Sequence, residues 1–272
     1  MGLRGNSVHV GVVGTGIDLA HPDFSDGKVT ALSMDGRDVQ DEIGHETGVT
    51  WIIHRIAPEA RITVVKVQTK KNGLLSDVIE GCELLRRRGV DIVNLSMSTR
   101  DPAYGDHPVC LETNYLVHHG IIVVVAAGNR GPWHRTIGAP GAATLAVTVG
   151  KVDRHNLVAR DSSRGPTLDG PAKPDCVAPG VEIVAAVPLR FGSHYGLYDC
   201  TSIATPHVAG ILALLKGAYP QASPALLKQA IMESCRPVTG LFALHPNPNV
   251  CGAGLVNALR AYEWLREYAG EN

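Results

Sequence analysis

The sequence predicts an α/β fold: one domain spanning 1–272, built in three layers, with a mostly parallel sheet covered by helices on both faces. Three observations predict it. Short β-branched runs recur without polar alternation, as in strands buried on both sides. Segments with apolar residues at helical spacing lie between those runs. Finally, 272 residues with 44% hydrophobic content are enough for one large core, and no Pro/Gly/Ser-rich linker, low-complexity tract or repeat divides the chain.

In chain order, Val8-His9-Val10-Gly11-Val12-Val13 reads as the first buried strand, and Gly14-Thr15-Gly16-Ile17-Asp18 as a tight turn carrying a carboxylate. Gly44-His45-Glu46-Thr47 opens a helix. Further strands are expected at 62–67, 91–95, 121–125 and 145–149, and helices at 75–88, 111–119, 206–219, 224–234 and 257–268. Ser223 and Asn257 suit the N-cap positions of the last two. Arg86-Arg87-Arg88 before Gly89 fits cations on a last helical turn followed by a glycine cap. Sheets of this kind carry functional groups at the carboxyl ends of their strands, which is where Asp18 and Asn129 fall.

Charge and composition narrow the function. With 25 Lys+Arg against 26 Asp+Glu the formal net charge is −1, so nothing favours a nucleic acid or an anionic membrane as partner. The longest apolar runs have strand length and none suits a bilayer span. The first strand starts within ten residues of Met1, leaving no room for a signal peptide or pro-segment. The expected location is therefore cytoplasmic, unless the chain is trimmed from a longer one. The 6 cysteines show no CxxC spacing and no HExxH-type pair appears, so no metal or other cofactor is expected. Cys235 and Cys251 flank a Pro-rich stretch at 237–248, and the sequence leaves their pairing open.

The chemistry concentrates in Cys200-Thr201-Ser202-Ile203-Ala204-Thr205-Pro206-His207-Val208-Ala209-Gly210, a serine at a turn that feeds an apolar helix. Helix N-termini offer unpaired N–H groups and a positive dipole end, which stabilise negative charge developing beside Ser202. A serine hydroxyl is a weak nucleophile that needs a base, and the base needs an orienting partner. His45 and Asp18 supply them upstream, and Asn129, at the end of Ile121-Ile122-Val123-Val124-Val125-Ala126-Ala127-Gly128-Asn129, brings an amide donor for an oxyanion. Singly, each has a plain structural reading as a turn Asp, a helix-start His, a strand-end Asn or a helix-start Ser. Together, in this order, they fit one mechanism.

Thr-Gly-Ile-Asp at 15–18, Gly-His-x-Thr at 44–47, Ala-Ala-Gly-Asn at 126–129 and Thr-Ser-x-Ala-Thr-Pro-His-Val-Ala-Gly at 201–210 resemble the subtilisin-like serine proteases. Asp161-Ser162-Ser163-Arg164-Gly165-Pro166 and Lys173-Pro174-Asp175-Cys176-Val177-Ala178-Pro179-Gly180 extend the likeness over nearly the whole chain. The resemblance implies that Ser202 attacks the scissile carbonyl, His45 relays the proton, Asp18 holds the imidazole tautomer, and Asn129 with the Ser202 N–H binds the oxyanion. It further implies an extended peptide pairing with Ser96, Met97 and Ser98, opposed by a wall of Ala126, Ala127 and Gly128, with Gly138 as floor. Arg130 is either at the rim of that pocket or a solvated surface residue. His207 matches a framework histidine, and the adjacent His118 and His119 point in different directions.

Several positions depart from the family pattern. Glu46, Ser98 and Cys200 stand where glycine is usual. Glu46 either suits the helix dipole or disturbs His45, Ser98 narrows the cleft, and Cys200 is a packing substitution or a redox-sensitive thiol. The family's calcium loop has no counterpart, leaving Asp23 as a single carboxylate short of a Ca²⁺ site. The expected function is a serine endopeptidase with restricted peptide or protein substrates. The alternatives are a transpeptidase or peptide macrocyclase using the same residues, and a catalytically silent binding protein on this fold.

Overall fold

A computed structural model describes residues 2–34, 36, 38–67, 74–238 and 246–270. The β-branched runs form β1 (His9–Gly14), β2 (Val29–Ser33), β3 (Arg61–Lys66), β4 (Ile92–Leu95), β5 (Ile122–Ala126), β6 (Val147–Val152) and β7 (Cys176–Pro179). They make one seven-stranded sheet in the order β2-β3-β1-β4-β5-β6-β7, and each neighbouring pair runs parallel. Strands β8 (Ile183–Ala186) and β9 (Tyr195–Tyr198) form a separate antiparallel hairpin. The helices are α1 (His45–Ile56), α2 (Leu75–Arg87), α3 (Pro108–His118), α4 (Thr201–Ala218), α5 (Pro224–Ser234), α6 (Pro248–Cys251) and α7 (Ala258–Tyr268).

Strand alternation divides the core into two layers. Val10, Val12, Ile62, Val64, Ile122 and Val124 face α1 and α4, where they meet Val49, Ile53, Val208 and Leu212. Val13, Val65, Val93 and Val123 face the other way, onto Val78, Cys82 and Leu85 of α2 and Val109 and Leu116 of α3. Both faces are dry, which explains why the strands lack polar alternation. The strand order reverses beside β1, so the turns beyond β1 and β5 open onto the crevice where sheets of this type place their ligands.

Helix α4 begins at Thr201, five residues before the expected start at Pro206. A proline removes the N–H that would bond the carbonyl four residues earlier, here that of Ser202. Ser96 Oγ donates to that carbonyl instead, at 2.7 Å, so the helix runs through Pro206. Strands β2 and β7 and the hairpin β8–β9 were not expected. β2 is an edge strand with one buried residue and a broken apolar pattern, and the hairpin is half exposed, with strands of only four residues. The free cysteines include Cys235 and Cys251, and 239–245 of the stretch between them lie outside the described residues.

The segment after β6 is pinned by charge. Asp175 is buried with the Lys173 ammonium 2.6 Å away and that of Lys228 3.0 Å away, and it also accepts from Thr148 N–H at 2.7 Å. Burial pushes the Lys173 ammonium down to about 8, against the pull of Asp175. Removing one member of such a group leaves buried charge uncompensated. Asp175→Asn should therefore cost about 3–5 kcal/mol and lower the melting temperature by roughly 10 °C, read by calorimetry.

Candidate active site

Ser202 is the second residue of α4 and 9% exposed. Cys200 precedes the helix in extended conformation and makes no capping bond through its own side chain. The end of β5 docks onto this turn. Gly128 N–H donates to Thr201 Oγ1 at 3.2 Å, and Asn129 Oδ1 accepts from Thr201 N–H at 2.8 Å. With its oxygen committed to Thr201, Asn129 has only its Nδ2 protons left for another partner. Ser96 ties the third segment in, accepting from Asn94 Nδ2 at 2.9 Å while donating to the Ser202 carbonyl.

His45 is the first residue of α1 and 25% exposed. Its Nδ1 lies 2.8 Å from Glu46 Oε1, whose side chain is 2% exposed. Glu46 Oε2 accepts from the Thr15 N–H at 2.8 Å and from the Thr15 hydroxyl. The expectation that Asp18 orients His45 is thereby corrected. Asp18 is bonded elsewhere, with Oδ1 accepting from Ala20 N–H of its own loop at 3.0 Å and Oδ2 from Leu189 N–H, between β8 and β9, at 2.8 Å. Sequence reasoning saw Glu46 only as a departure that was either harmless or disturbing. It missed Asp41 altogether, a fully buried carboxylate that accepts from Ile43 N–H, Gly44 N–H, and the N–H and hydroxyl of Thr47. Its one sequence signal is an acidic residue just ahead of a helix start.

Burial opposes a charged imidazole at His45. The Glu46 charge, with hydrogen bonds to Cys200 and Glu46, outweighs it and holds the His45 pKa well above the ordinary 6.5. Cys200, just ahead of the serine turn, thus links α1 to α4. Burial lowers the His207 pKa, and its Nδ1 sits 2.9 Å from the Ile203 carbonyl, in keeping with a framework role.

The expected substrate-binding residues lie at the exits of β4 and β5 and around Ser98. Ala126, Ala127 and Gly128 are buried along the exit of β5, while Met97 and Ser98 are partly exposed where the chain leaves β4. Gly128 and Gly138 approach each other across Ser98. A Cβ added at Gly138 would lie 2.4 Å from Ser98 Oγ, and one at Gly128 2.9 Å from it. The Ser98 hydroxyl therefore fills the slot between wall and floor. Beyond Met97 lies an apolar cavity of about 160 Å³, lined by Val67, Val78, Met97, Val109 and Pro140 among others. Arg130 is exposed, with its N–H on Ser163 Oγ at 3.1 Å. Asp23 does not fit a calcium site: its Oδ2 accepts from Trp51 Nε1 and, at 3.0 Å, from the Tyr195 hydroxyl. Among the described residues no group of three or more His, Cys, Asp or Glu could hold a metal.

The subtilase family model matches residues 5–254. The chain is 33% identical to the serine protease AprX of Bacillus subtilis, over 94% of its own length and 66% of the length of AprX. Among solved structures, the self-cleaved protease domain of PatA superposes with a TM-score of 0.80 at 25% identity, covering 97% of this chain and 99% of that one. The prenylagaramide maturation protease PagA shares the fold, with a TM-score of 0.77 at 24% identity over 95% and 93% of the two chains.

Because the folded pKa of His45 is raised, the imidazole should stay protonated through 6.5 and become a base only above that value. An NMR titration of the ring nitrogens should give a midpoint above 6.5; a midpoint below it would show that desolvation outweighs Glu46.

Proposed function

The chain belongs to the subtilase family, and we propose that it is a serine endopeptidase acting through an acyl-enzyme on Ser202. The head of α4 carries that reading, because Ser202 lies in its first turn, Asn129 is bonded to the N–H of the preceding Thr201, and Cys200, two residues ahead of the serine, interacts with His45. Ser202 Oγ attacks the scissile carbonyl carbon and gives its proton to His45 Nε2, which passes it to the leaving amine. The tetrahedral oxyanion is received by Ser202 N–H and Asn129 Nδ2. Water then enters by the same route, with His45 again taking the proton, and the acyl group leaves as a carboxylic acid.

The cleft supports restricted substrates. An extended peptide laid along 96–98 would bond through its main chain and send alternate side chains into pockets. The slot occupied by Ser98 suits glycine, alanine or serine at the residue before the scissile bond, and the cavity beyond Met97 suits an apolar side chain further upstream. Exposed Arg130 biases charged residues weakly, since exposed pairs contribute only about 0–1 kcal/mol. The maturation protease PagA among the fold neighbours accords with processing of a particular peptide.

A fluorophosphonate probe should label the wild-type protein on Ser202, and Ser202→Ala should lose labelling and about six orders of magnitude in turnover, the size of the corresponding loss in a subtilisin. Wild-type protein that neither labels nor cleaves peptides would remove this function. Product masses gaining one water establish hydrolysis, whereas joined or cyclic products would establish transpeptidation.

The slot gives a second expectation. Ser98→Gly should raise kcat/KM for peptides with leucine or phenylalanine before the scissile bond, relative to alanine, by roughly tenfold or more. An unchanged ratio would place the selecting pocket elsewhere.

A further inference from the structure

We propose that Glu46 is the positioning acid of the catalytic centre, and that Gly14 is left without a side chain so that this carboxylate can reach His45 from the neighbouring residue of the same helix. The inference rests on the serine-peptidase reading above and adds the third member of its relay.

Adjacent residues on a helix point about 100° apart and do not normally face each other. A carboxylate bonded to the imidazole of its immediate predecessor must therefore be held from outside the helix. Thr15 does this from the turn after β1, through its N–H and hydroxyl on Glu46 Oε2, leaving Oε1 for His45 Nδ1 at 2.8 Å. Thr15 Oγ1 also lies 2.7 Å from Asp41 Oδ1. Asp41 already has four other donors, so the single hydroxyl proton is free for Glu46.

The space for that carboxylate is made by Gly14. A Cβ built there would lie 2.2 Å from Glu46 Cδ and 2.3 Å from Oε1, so even alanine would expel it. The Gly14 backbone is not left-handed, and conformation alone does not call for glycine. The other carboxylate in reach of the sequence pattern, Asp18, has both oxygens committed to Ala20 and Leu189.

In the reaction Glu46 accepts a hydrogen bond from His45 Nδ1–H. This leaves the lone pair of Nε2 facing Ser202 and stabilises the imidazolium once the serine proton arrives. Glu46 itself takes no proton. The titratable groups acting on the ring are Glu46 on α1 and Cys200 ahead of α4, and these two, with Asp41 before α1, also act on Tyr198 of β9. Neutralising Glu46 should thus lower the midpoint of His45.

The test combines kinetics with NMR titration of His45. Glu46→Gln should lower kcat by about 10²–10⁴-fold with little change in KM, the scale of losing the third member of such a triad. It should also move the His45 midpoint and the acid limb of the kcat/KM profile to lower pH. Asp18→Asn should leave the raised His45 midpoint in place. In Glu46→Gly, adding Gly14→Asp puts a carboxylate into the same space and should restore both the midpoint and part of kcat, which a merely structural role for Glu46 would not do. The titrations can be run on Ser202→Ala protein, so they stand or fall separately from proteolysis. A wild-type kcat in Glu46→Gln, or a His45 midpoint lowered by Asp18→Asn and not by Glu46→Gln, would overturn the proposal.

Discussion

Burying the Glu46 carboxylate is the constraint around which the N-terminal half of the site is arranged. A carboxylate taken out of water costs several kcal/mol unless opposite charge and hydrogen bonds offset it. Here the offset comes from Thr15 and His45. The turn after β1 must therefore present the Thr15 N–H inward, β1 must end without a side chain, and α1 must start where His45 and Glu46 can share one site. Asp41 holds that start by accepting from the Gly44 and Thr47 N–H groups.

The C-terminal half is arranged around a missing hydrogen bond. Pro206 deprives the Ser202 carbonyl of its helical partner, and a proline inside a helix costs about 3 kcal/mol or more when nothing replaces the bond. Ser96 replaces it, with its own orientation fixed by Asn94. The repair has a functional consequence. Ser96 begins the segment along which a substrate would lie, so the same bond that keeps α4 helical also fixes the nucleophile turn in register with the substrate strand.

Much of this was legible in the sequence, and the failures have specific physical causes. Strands buried on both faces leave unbroken apolar runs, so β1, β3, β4, β5 and β6 could be read to within a few residues. Ser202, His45 and Asn129 stood out as candidates because each sits at an element boundary marked by glycine, threonine or a run of valines. Proline is a start signal in most contexts, and nothing local reveals a serine more than a hundred positions away that compensates for it. That is why the start of α4 was placed at Pro206. Asp18 drew attention as the visible carboxylate of its turn, whereas Glu46 was weighed only as a complement to the helix dipole or a disturbance of His45. Only the tertiary hold of Thr15 and the vacancy at Gly14 reverse that judgement.

In the proposed relay the imidazole and its carboxylate lie on one turn of α1 and the nucleophile on α4, so its alignment reduces to how α1 sits against α4. That contact is close: a Cβ added at Gly210 of α4 would lie 2.8 Å from Ile56 Cβ of α1, and one at Gly48 of α1 would lie 2.8 Å from the Tyr198 ring. Tyr198 also bonds the Gly44 and Ala186 carbonyls, so the hairpin clamps the start of α1. Packed backbone has discrete arrangements and resists continuous deformation. His45 and Glu46, together on the first turn of α1, are therefore held as one unit, and in the proposed mechanism the distance that governs proton transfer is set by helix packing, with the loops left to shape the substrate slot.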